Sequence, residues 1–463
     1  MRNLKNVDTP NLLEEFFPHK LPPRIVFTGK ICEEIDGRMV EFDPNEALKR
    51  DLHISDTTFR DGQQARPPYT VKQIVDLFEL LSRLGGPRGI VRMSEFFLYS
   101  QKDRDAVLAV KDLGLRYPRI TGWMRADKGD LSWVRKLELT EAGILTSCSD
   151  YHIFHKLGKN RKVIMEEYLD VVRAAIDAGI RPRCHLEDVT RADIDGFVIP
   201  FVQRLAEISE DLPEEMKIIV RLCDTMGFGL TYPGVPLPRS IPKLIYKVTH
   251  EGGIPPERLE WHGHNDFHKV HINAVTTWLY GCDSVNGTLL GFGERTGNPP
   301  LEGAIMELIA LMGDKCGIDT TAITDIAEYY EKVIGAPPAR NYPFVGRDFN
   351  MTRAGIHALG LYMDERVYNI FDTAALLKRP PTVSITDKSG ADGVHYWVND
   401  FLGLKGNKRI RKTKLVKIMR WVKDQYDVQG RTTAISSEEM EELVKKYLPE
   451  YCEKRVKRAA RKA

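Results

Sequence analysis

Two histidines separated by one residue carry the sharpest chemical signal in this sequence: His262 and His264, in Trp261-His262-Gly263-His264-Asn265-Asp266. On a β-strand, residues two apart point to the same face, so both imidazoles address one side of the strand. Two imidazoles and a carboxylate from another strand form a three-sided metal site with positions open for substrate oxygens. Asp61, in Asp56-Thr57-Thr58-Phe59-Arg60-Asp61-Gly62, is the natural third ligand. Taken alone, the His-x-His pair is more often a pair of packed or surface histidines than a metal site. The Arg60-Asp61 pair at the mirrored position of an earlier strand tips the reading toward a metal.

Those residues need strands to hold them. Short β-rich runs fall at 53–59, 90–95, 120–125, 144–148, 182–187, 218–223, 259–264 and 284–289. Between them lie helical patterns at 71–84, 102–113, 161–178, 192–208, 242–250, 269–279 and 301–312. This alternation is the signature of βαβ units and a parallel sheet. Eight strand–helix pairs in roughly 260 residues predict an α/β chain closed as a (β/α)₈ TIM barrel. A doubly wound open sheet is the alternative, but the Gly-x-Gly-x-x-Gly turn of a dinucleotide fold is missing. Catalytic side chains in such barrels sit at the C-terminal ends of strands. Polar residues do gather where the apolar runs stop: Arg60-Asp61, Glu187-Asp188, Asp224-Thr225, His262 to Asp266, and the Gly291 to Asn298 segment. The expected organisation is an irregular extension over 1–50, the barrel over 51–315, and a mainly helical lid and appendage over 316–463. Proline-rich breaks at 336–343 and 378–381 and charged helices at 412–427 and 437–447 punctuate the last part.

The bulk numbers exclude several classes of function. A formal net charge of +2 on 463 residues gives no general pull toward nucleic acid or anionic membranes. The basic run at 454–462 has no interleaved aromatic residues and reads as a solvated helix end. Seven dispersed cysteines without a Cys-x-x-Cys pair argue against a disulfide framework and a structural zinc site. The first residues lack the apolar core of a signal peptide, and no run is long enough to span a bilayer. The expectation is a cytoplasmic enzyme of small molecules, with no nucleic-acid or membrane partner.

The segment from Asp56 to Gln64, the His262 to Asp266 segment and the Gly291 to Asn298 segment, in that order, resemble the Claisen-condensing metalloenzyme family. Isopropylmalate, homocitrate, citramalate and Re-face citrate synthases belong to it, and the resemblance covers about 52–399. It implies condensation of acetyl-CoA with an α-keto acid on a divalent metal, Mn²⁺ first, with Mg²⁺, Co²⁺ or Zn²⁺ as alternatives. Residue by residue, it implies Asp61, His262 and His264 as metal ligands and Asn298 beside the metal. Arg60 matches the arginine that stabilises the enolate or alkoxide oxygen, a task suited to a charge that cannot be lost. Glu187 matches a catalytic residue of the substrate site, and Gln64 and Thr225 match substrate-binding positions. Arg183 matches the position where homocitrate synthases hold the far carboxylate. In Thr352-Arg353-Ala354-Gly355-Ile356-His357, His357 matches a histidine that assists proton abstraction from the acetyl methyl, typically in a neighbouring subunit's site. Tyr368 matches its partner in the same lid. The resemblance therefore implies a homodimer whose lid residues complete the neighbouring site.

Departures from the family pattern bear on the keto acid. Gln63 replaces the usual glutamate, Arg92 stands where relatives carry glutamate, and His185 stands where homocitrate synthases have a small hydroxyl residue. Together Arg92, Arg183 and His185 predict a shortened, more cationic pocket for a compact dicarboxylate; the alternative for Arg92 is pairing with a nearby structural carboxylate. The segment 284–300 looks most like the Re-face citrate synthases, which implies oxaloacetate as the acceptor and citrate as the product. Homocitrate synthase, using 2-oxoglutarate, is the next expectation, and isopropylmalate or citramalate synthase follows. An acyl-CoA lyase shares the barrel and metal motif but would not need the His357–Tyr368 lid.

Overall fold

The computed structural model describes residues 19–459, with side chains through Arg455. The chain divides into a unit spanning Arg24–Pro338 and a second unit that includes 339–459.

In the first unit, an antiparallel hairpin of β1 (Ile31–Ile35) and β2 (Arg38–Phe42) precedes the eight strands of a barrel. These are β3 (His53–Asp56), β4 (Val91–Phe96), β5 (Arg119–Arg125), β6 (Glu141–Ser147), β7 (Arg181–Glu187), β8 (Ile219–Asp224), β9 (Leu259–Gly263) and β10 (Ser284–Gly287). They close in the order β10-β3-β4-β5-β6-β7-β8-β9, every neighbour parallel. All eight runs read from the sequence are strands. The first stops at Asp56 rather than 59 because its carboxylate turns back to accept the Thr58 N–H at 3.0 Å. The short helix Leu131–Lys136 escaped the sequence reading, being too brief to show a period.

The outer helices form for ordinary reasons. In Val71–Gly85, Ile74, Leu77, Phe78, Leu81 and Leu84 recur at helical spacing and are buried. Thr70 and Gln73 form a reciprocal capping box at its start. Gly86, at φ +64°, ends it where a Cβ would lie 2.1 Å from the Gly317 carbonyl oxygen. Truncating Leu77 to alanine would cost about 2–5 kcal/mol through the cavity left behind.

The barrel unit is wider than 51–315 at both ends. Ile25 N–H donates to the Ala310 carbonyl at 2.9 Å, and Arg50 pairs with Asp283 and donates to the Trp278 carbonyl at 2.8 Å. Downstream, helix Thr321–Tyr329 leads to Tyr330, whose hydroxyl meets that of Tyr69 at 2.5 Å. Residues 24–50 are thus bonded to the barrel rather than irregular, while 1–18 of the expected extension lie outside the described residues.

Below its mouth the barrel is filled with paired charges. Arg221, fully buried, donates to Glu260 at 2.8 Å and Glu95 at 3.0 Å; Arg183 donates to Glu260 at 2.6 Å and Glu141 at 2.7 Å. Burial opposes the charge of Glu95, but Arg221 and Arg60 prevail and hold its carboxyl down at about 2. Burial also opposes the charge of Glu260, which Arg183 and Arg221 hold well below the usual carboxylate range.

The second unit is mainly helical, with Gly355–Met363, Gly390–Phe401, Val416–Asp427, Ser437–Tyr447 and Pro449–Ala459 around a core that includes Ala358, Val398, Ile418 and Val444. Met351–Thr352 pairs in parallel with Thr382–Val383. Of the basic run, Lys454 and Arg455 are exposed, with the Arg455 guanidinium 4.0 Å from the Phe401 ring centroid; 460–462 lie outside the described residues. Among the described residues no helix is long and apolar enough to cross a membrane.

Candidate active site and metal centre

Asp61 opens a single 3₁₀ turn after β3, His262 lies near the end of β9, and His264 follows that strand directly. The fold brings the three together at the C-terminal end of the barrel. Each Nε2 lies 3.3 Å from Asp61 Oδ2, and all three residues are buried. They are the cluster of potential metal ligands found among the described residues.

The tautomers follow from the outer bonds. His262 Nδ1–H donates to Asn286 Oδ1 at 2.8 Å, and His264 Nδ1–H donates to the Thr225 carbonyl at 2.8 Å. Both Nε2 atoms then present lone pairs toward the carboxylate, an arrangement of acceptors that a cation between them would satisfy. Burial drives His262 down to about 4, so it is neutral and able to coordinate at neutral pH. Burial works against the charge on Asp61, yet the Arg60 guanidinium beside it keeps its carboxyl well below the usual range.

Asn298 completes the cluster. Its Nδ2–H donates to Asp61 Oδ2 at 3.1 Å, while its Oδ1 is buried without a donor among the described residues. Gly293 makes room for that oxygen: a Cβ there would lie 1.4 Å away. Gly297, at φ +101°, turns the chain where a Cβ would lie 2.2 Å from the Gly291 carbonyl oxygen. Two lone-pair nitrogens, a carboxylate and an orphaned amide oxygen fit a divalent cation.

A cavity of about 250 Å³ opens beside this cluster. Arg60, Asp61, Gln64, Glu187 and Thr225 line it with the two histidines, so the structure unites these expected residues. Arg60 is aimed by Glu95, which accepts from its Nε at 2.8 Å, and by Trp123, whose ring centroid lies 5.9 Å away. Glu187 is gripped on one side by the Ser147 hydroxyl, His152 and Lys156. Burial opposes its charge, but these donors hold it down at about 2.

Three expectations for the keto-acid pocket change. Arg92 is the second residue of β4 and bonds the Gly89 carbonyl at 2.9 Å and Asp51 at 3.0 and 3.2 Å. Both partners precede strands, so Arg92 lies at the opposite end of the barrel and pairs structurally. Arg183 is committed to Glu141 and Glu260 below the cavity. His185 does line the cavity, but burial, Arg221 and Arg60 depress its pKa well below the usual value, so it is neutral rather than cationic. Its Nε2 lies 3.3 Å from Glu95 without a hydrogen bond. Gly143 leaves the slot it fills: a Cβ there would lie 2.6 Å from His185 Cε1.

In the second unit, the rings of His357 and Tyr368 lie 4.4 Å apart, so the two expected lid residues are neighbours. Sequence reasoning missed Phe97, Trp123, Leu145 and Cys223 of the cavity wall. Trp123 and Leu145 stand two residues before the ends of β5 and β6, as His185 does on β7; that register was the available signal. Glu294 and Arg295, also in the wall, sit in the quoted Gly291 to Asn298 segment without an assigned role.

Comparison with known proteins adds independent information. The HMGL-like family model matches residues 51–329. A citrate (Re)-synthase of Syntrophus aciditrophicus is 54% identical over 449 residues, covering 96% of this chain and 69% of its own length. A citrate (Re)-synthase of Clostridium kluyveri is 46% identical over 459 residues, covering 99% of this chain and 98% of its own. Among solved structures, an HMG-CoA lyase of Acinetobacter baumannii in complex with coenzyme A and 3-methylmalate aligns with a TM-score of 0.50 at 17% identity, covering 63% of this chain and 93% of that one. A likeness at that identity speaks for the barrel fold alone.

Proposed function

This chain belongs to the HMGL-like family and to its citrate (Re)-synthase branch, and from that premise we propose that it condenses acetyl-CoA with oxaloacetate to a CoA thioester of citrate, which water then hydrolyses to citrate and CoA. The observation that carries the reading is the Asp61–His262–His264 cluster beside Arg60, in a chain matching two citrate (Re)-synthases over nearly all its length. It is an acyltransferase that turns the acetyl group into an alkyl substituent.

Asp61, His262, His264 and the amide of Asn298 would hold a divalent metal. When bound, such a metal acts as a Lewis acid toward the carboxylate and ketone oxygens of an α-keto acid. The chain's residues supply the rest. Arg60, fixed through Nε by Glu95 and with Nη1 3.4 Å from Asp61 Oδ2, lines the cavity, where its guanidinium can meet the oxygen on which charge develops. Thr225 Oγ1 accepts the Asp188 N–H at 2.8 Å, and its own O–H, whose oxygen lies 3.5 Å from the Cys223 carbonyl oxygen, can turn to a substrate carboxylate. Gln64 Nε2, 3.4 Å from Asp61 Oδ1, borders the same space. His185 closes the floor as a neutral group, which favours a short keto acid. Glu187, with its pKa near 2, is too weak a base to take a methyl proton and serves to orient.

For the proton we look to His357 and Tyr368, acting in the site of a second copy of the chain. An exposed apolar face formed by Ile356, Leu359 and Met363 beside them supports a homodimer. Mixing inactive His357→Ala and His262→Ala proteins should restore activity through hybrid dimers; no recovery would refute the shared site. Oxygen donors combined with two imidazoles make Mn²⁺ the first metal to test. Seven free cysteines accord with a cytoplasmic location.

The direct experiment is citrate formation from acetyl-CoA and oxaloacetate before and after chelation. Removal of metal should abolish product and Mn²⁺ should restore it. Undiminished citrate from a protein shown to be metal-free would overturn the assignment.

A further inference from the structure

Glu187 sits in the cavity wall with an unusual set of partners, none of which the family resemblance assigned. The chain leaving β6 makes a single π-helical turn over Tyr151–Lys156, a form common at functional sites. Asp150 anchors the start of that turn through Arg161, at 2.6 and 2.9 Å. The turn delivers His152 Nδ1 to 2.9 Å and Lys156 Nζ to 3.1 Å from Glu187 Oε2. The Ser147 hydroxyl, at the end of β6, donates to the same oxygen. Among the described residues Oε1 has Lys156 alone, at 3.3 Å. One oxygen is therefore saturated from outside the cavity, and the other is left for whatever enters it.

We propose that His152 is a positioning residue which, with Lys156, clamps Glu187 in its ionised form with Oε1 turned to the substrate. The proposal rests on the reading of Glu187 as part of the substrate site. His152 itself is fixed between two carboxylates, because its Nε2 lies 3.7 Å from Asp188 Oδ2. Asp188 is in turn held by Arg191 at 2.9 Å and by the Ser149 hydroxyl. The other titratable groups packed near Glu187 are Cys148, just past the end of β6, whose thiol donates to the Glu187 carbonyl at 3.1 Å, Cys223 on β8, and Tyr168, whose hydroxyl donates to the Ser147 carbonyl at 3.1 Å. Arg60, His185 and Arg295 share the cavity wall with Glu187. Burial by itself would raise the Glu187 carboxyl; the clamp reverses that effect and brings it to about 2.

Without the clamp, burial wins. A buried carboxyl deprived of two charge-assisted partners moves up by about 3–5 pH units, into the range where activity can be measured. The test is the pH profile of kcat/KM for wild type, His152→Ala, His152→Asn and the double variant His152→Ala/Lys156→Met, with Mn²⁺ affinity as the readout of an intact barrel. Wild type should show no Glu187 titration above pH 5. The double variant should gain an acid limb there and lose about tenfold or more in kcat/KM at neutral pH. His152→Asn, which keeps a donor near the same place, should recover most of the loss. An unchanged profile shape in the double variant with Mn²⁺ affinity intact overturns the clamp. Full activity in Glu187→Gln instead overturns the premise that Glu187 serves the substrate site, an outcome separable from the first.

Discussion

The mouth of the barrel and the layer just beneath it are built from the same kinds of residue and do opposite things. Both are buried and rich in charge. Beneath the mouth, Glu95, Arg221, Glu260, Arg183 and Glu141 answer one another in a continuous ladder. At the mouth, two imidazole lone pairs converge on Asp61, and the Asn298 amide oxygen has no donor among the described residues. Unsatisfied polarity at the end of rigid strands is where a ligand is wanted, whereas satisfied polarity is scaffold. Residue type alone does not separate the two, and Arg60 shows the join: its Nε pairs with Glu95 of the ladder and its Nη1 lies 3.4 Å from Asp61 at the mouth.

The largest break should come from the mouth. His262→Ala removes a ligand and should abolish tight metal binding and lower turnover by about a thousandfold or more, since charge stabilisation worth several kcal/mol is lost. The folded barrel should survive. Retained metal and activity, by titration and assay, would collapse the contrast.

The ladder should fail differently. Arg221→Met leaves Glu95 and Glu260 buried without their shared cation, an expected loss of about 3–5 kcal/mol of stability. Denaturant unfolding reads this directly. The same ladder predicts a pH signature. Glu95 has a folded pKa depressed to about 2, so its contribution is present above the unfolded value and is lost as pH falls through the folded one. Acid destabilisation should therefore develop from about pH 4.5 downward. A flat response over that window would deny the ladder its role. Arg183→Ala should behave as a ladder variant, weakening the protein without favouring one keto acid over another.

Arg92→Ala should do least. The Arg92–Asp51 pair has a largely exposed carboxylate at the far end of the barrel. Its removal should cost no more than about 1 kcal/mol and leave kcat/KM unchanged. A selective loss with oxaloacetate would return Arg92 to the pocket.

The strands and most of the mouth were legible in the sequence because a strand has a period of two and a barrel places function at strand ends. His262 and His264 could be read from spacing, and Asp61 from the matching position on another strand. The depth of a residue along its strand was not legible. Arg183 and His185 share a face of β7, yet one belongs to the ladder and the other to the cavity, because ion-pair partners come from β6 and β9, which pairing in space decides. The His152–Lys156 grip on Glu187 was hidden for the same reason: 35 residues separate His152 from Glu187. The neutrality of His185 depends on burial and on nearby guanidinium groups, which local sequence does not carry.

The central claim is the identity of the carbon acceptor, and thiol release from acetyl-CoA with Mn²⁺ present tests it most directly. Oxaloacetate, 2-oxoglutarate, 2-oxoisovalerate and pyruvate should be compared at equal concentration. Oxaloacetate should be preferred strongly, with citrate and CoA appearing in equal amounts. Preference for another keto acid would contradict the account of the pocket, and no thiol release with any of them would contradict the condensation itself.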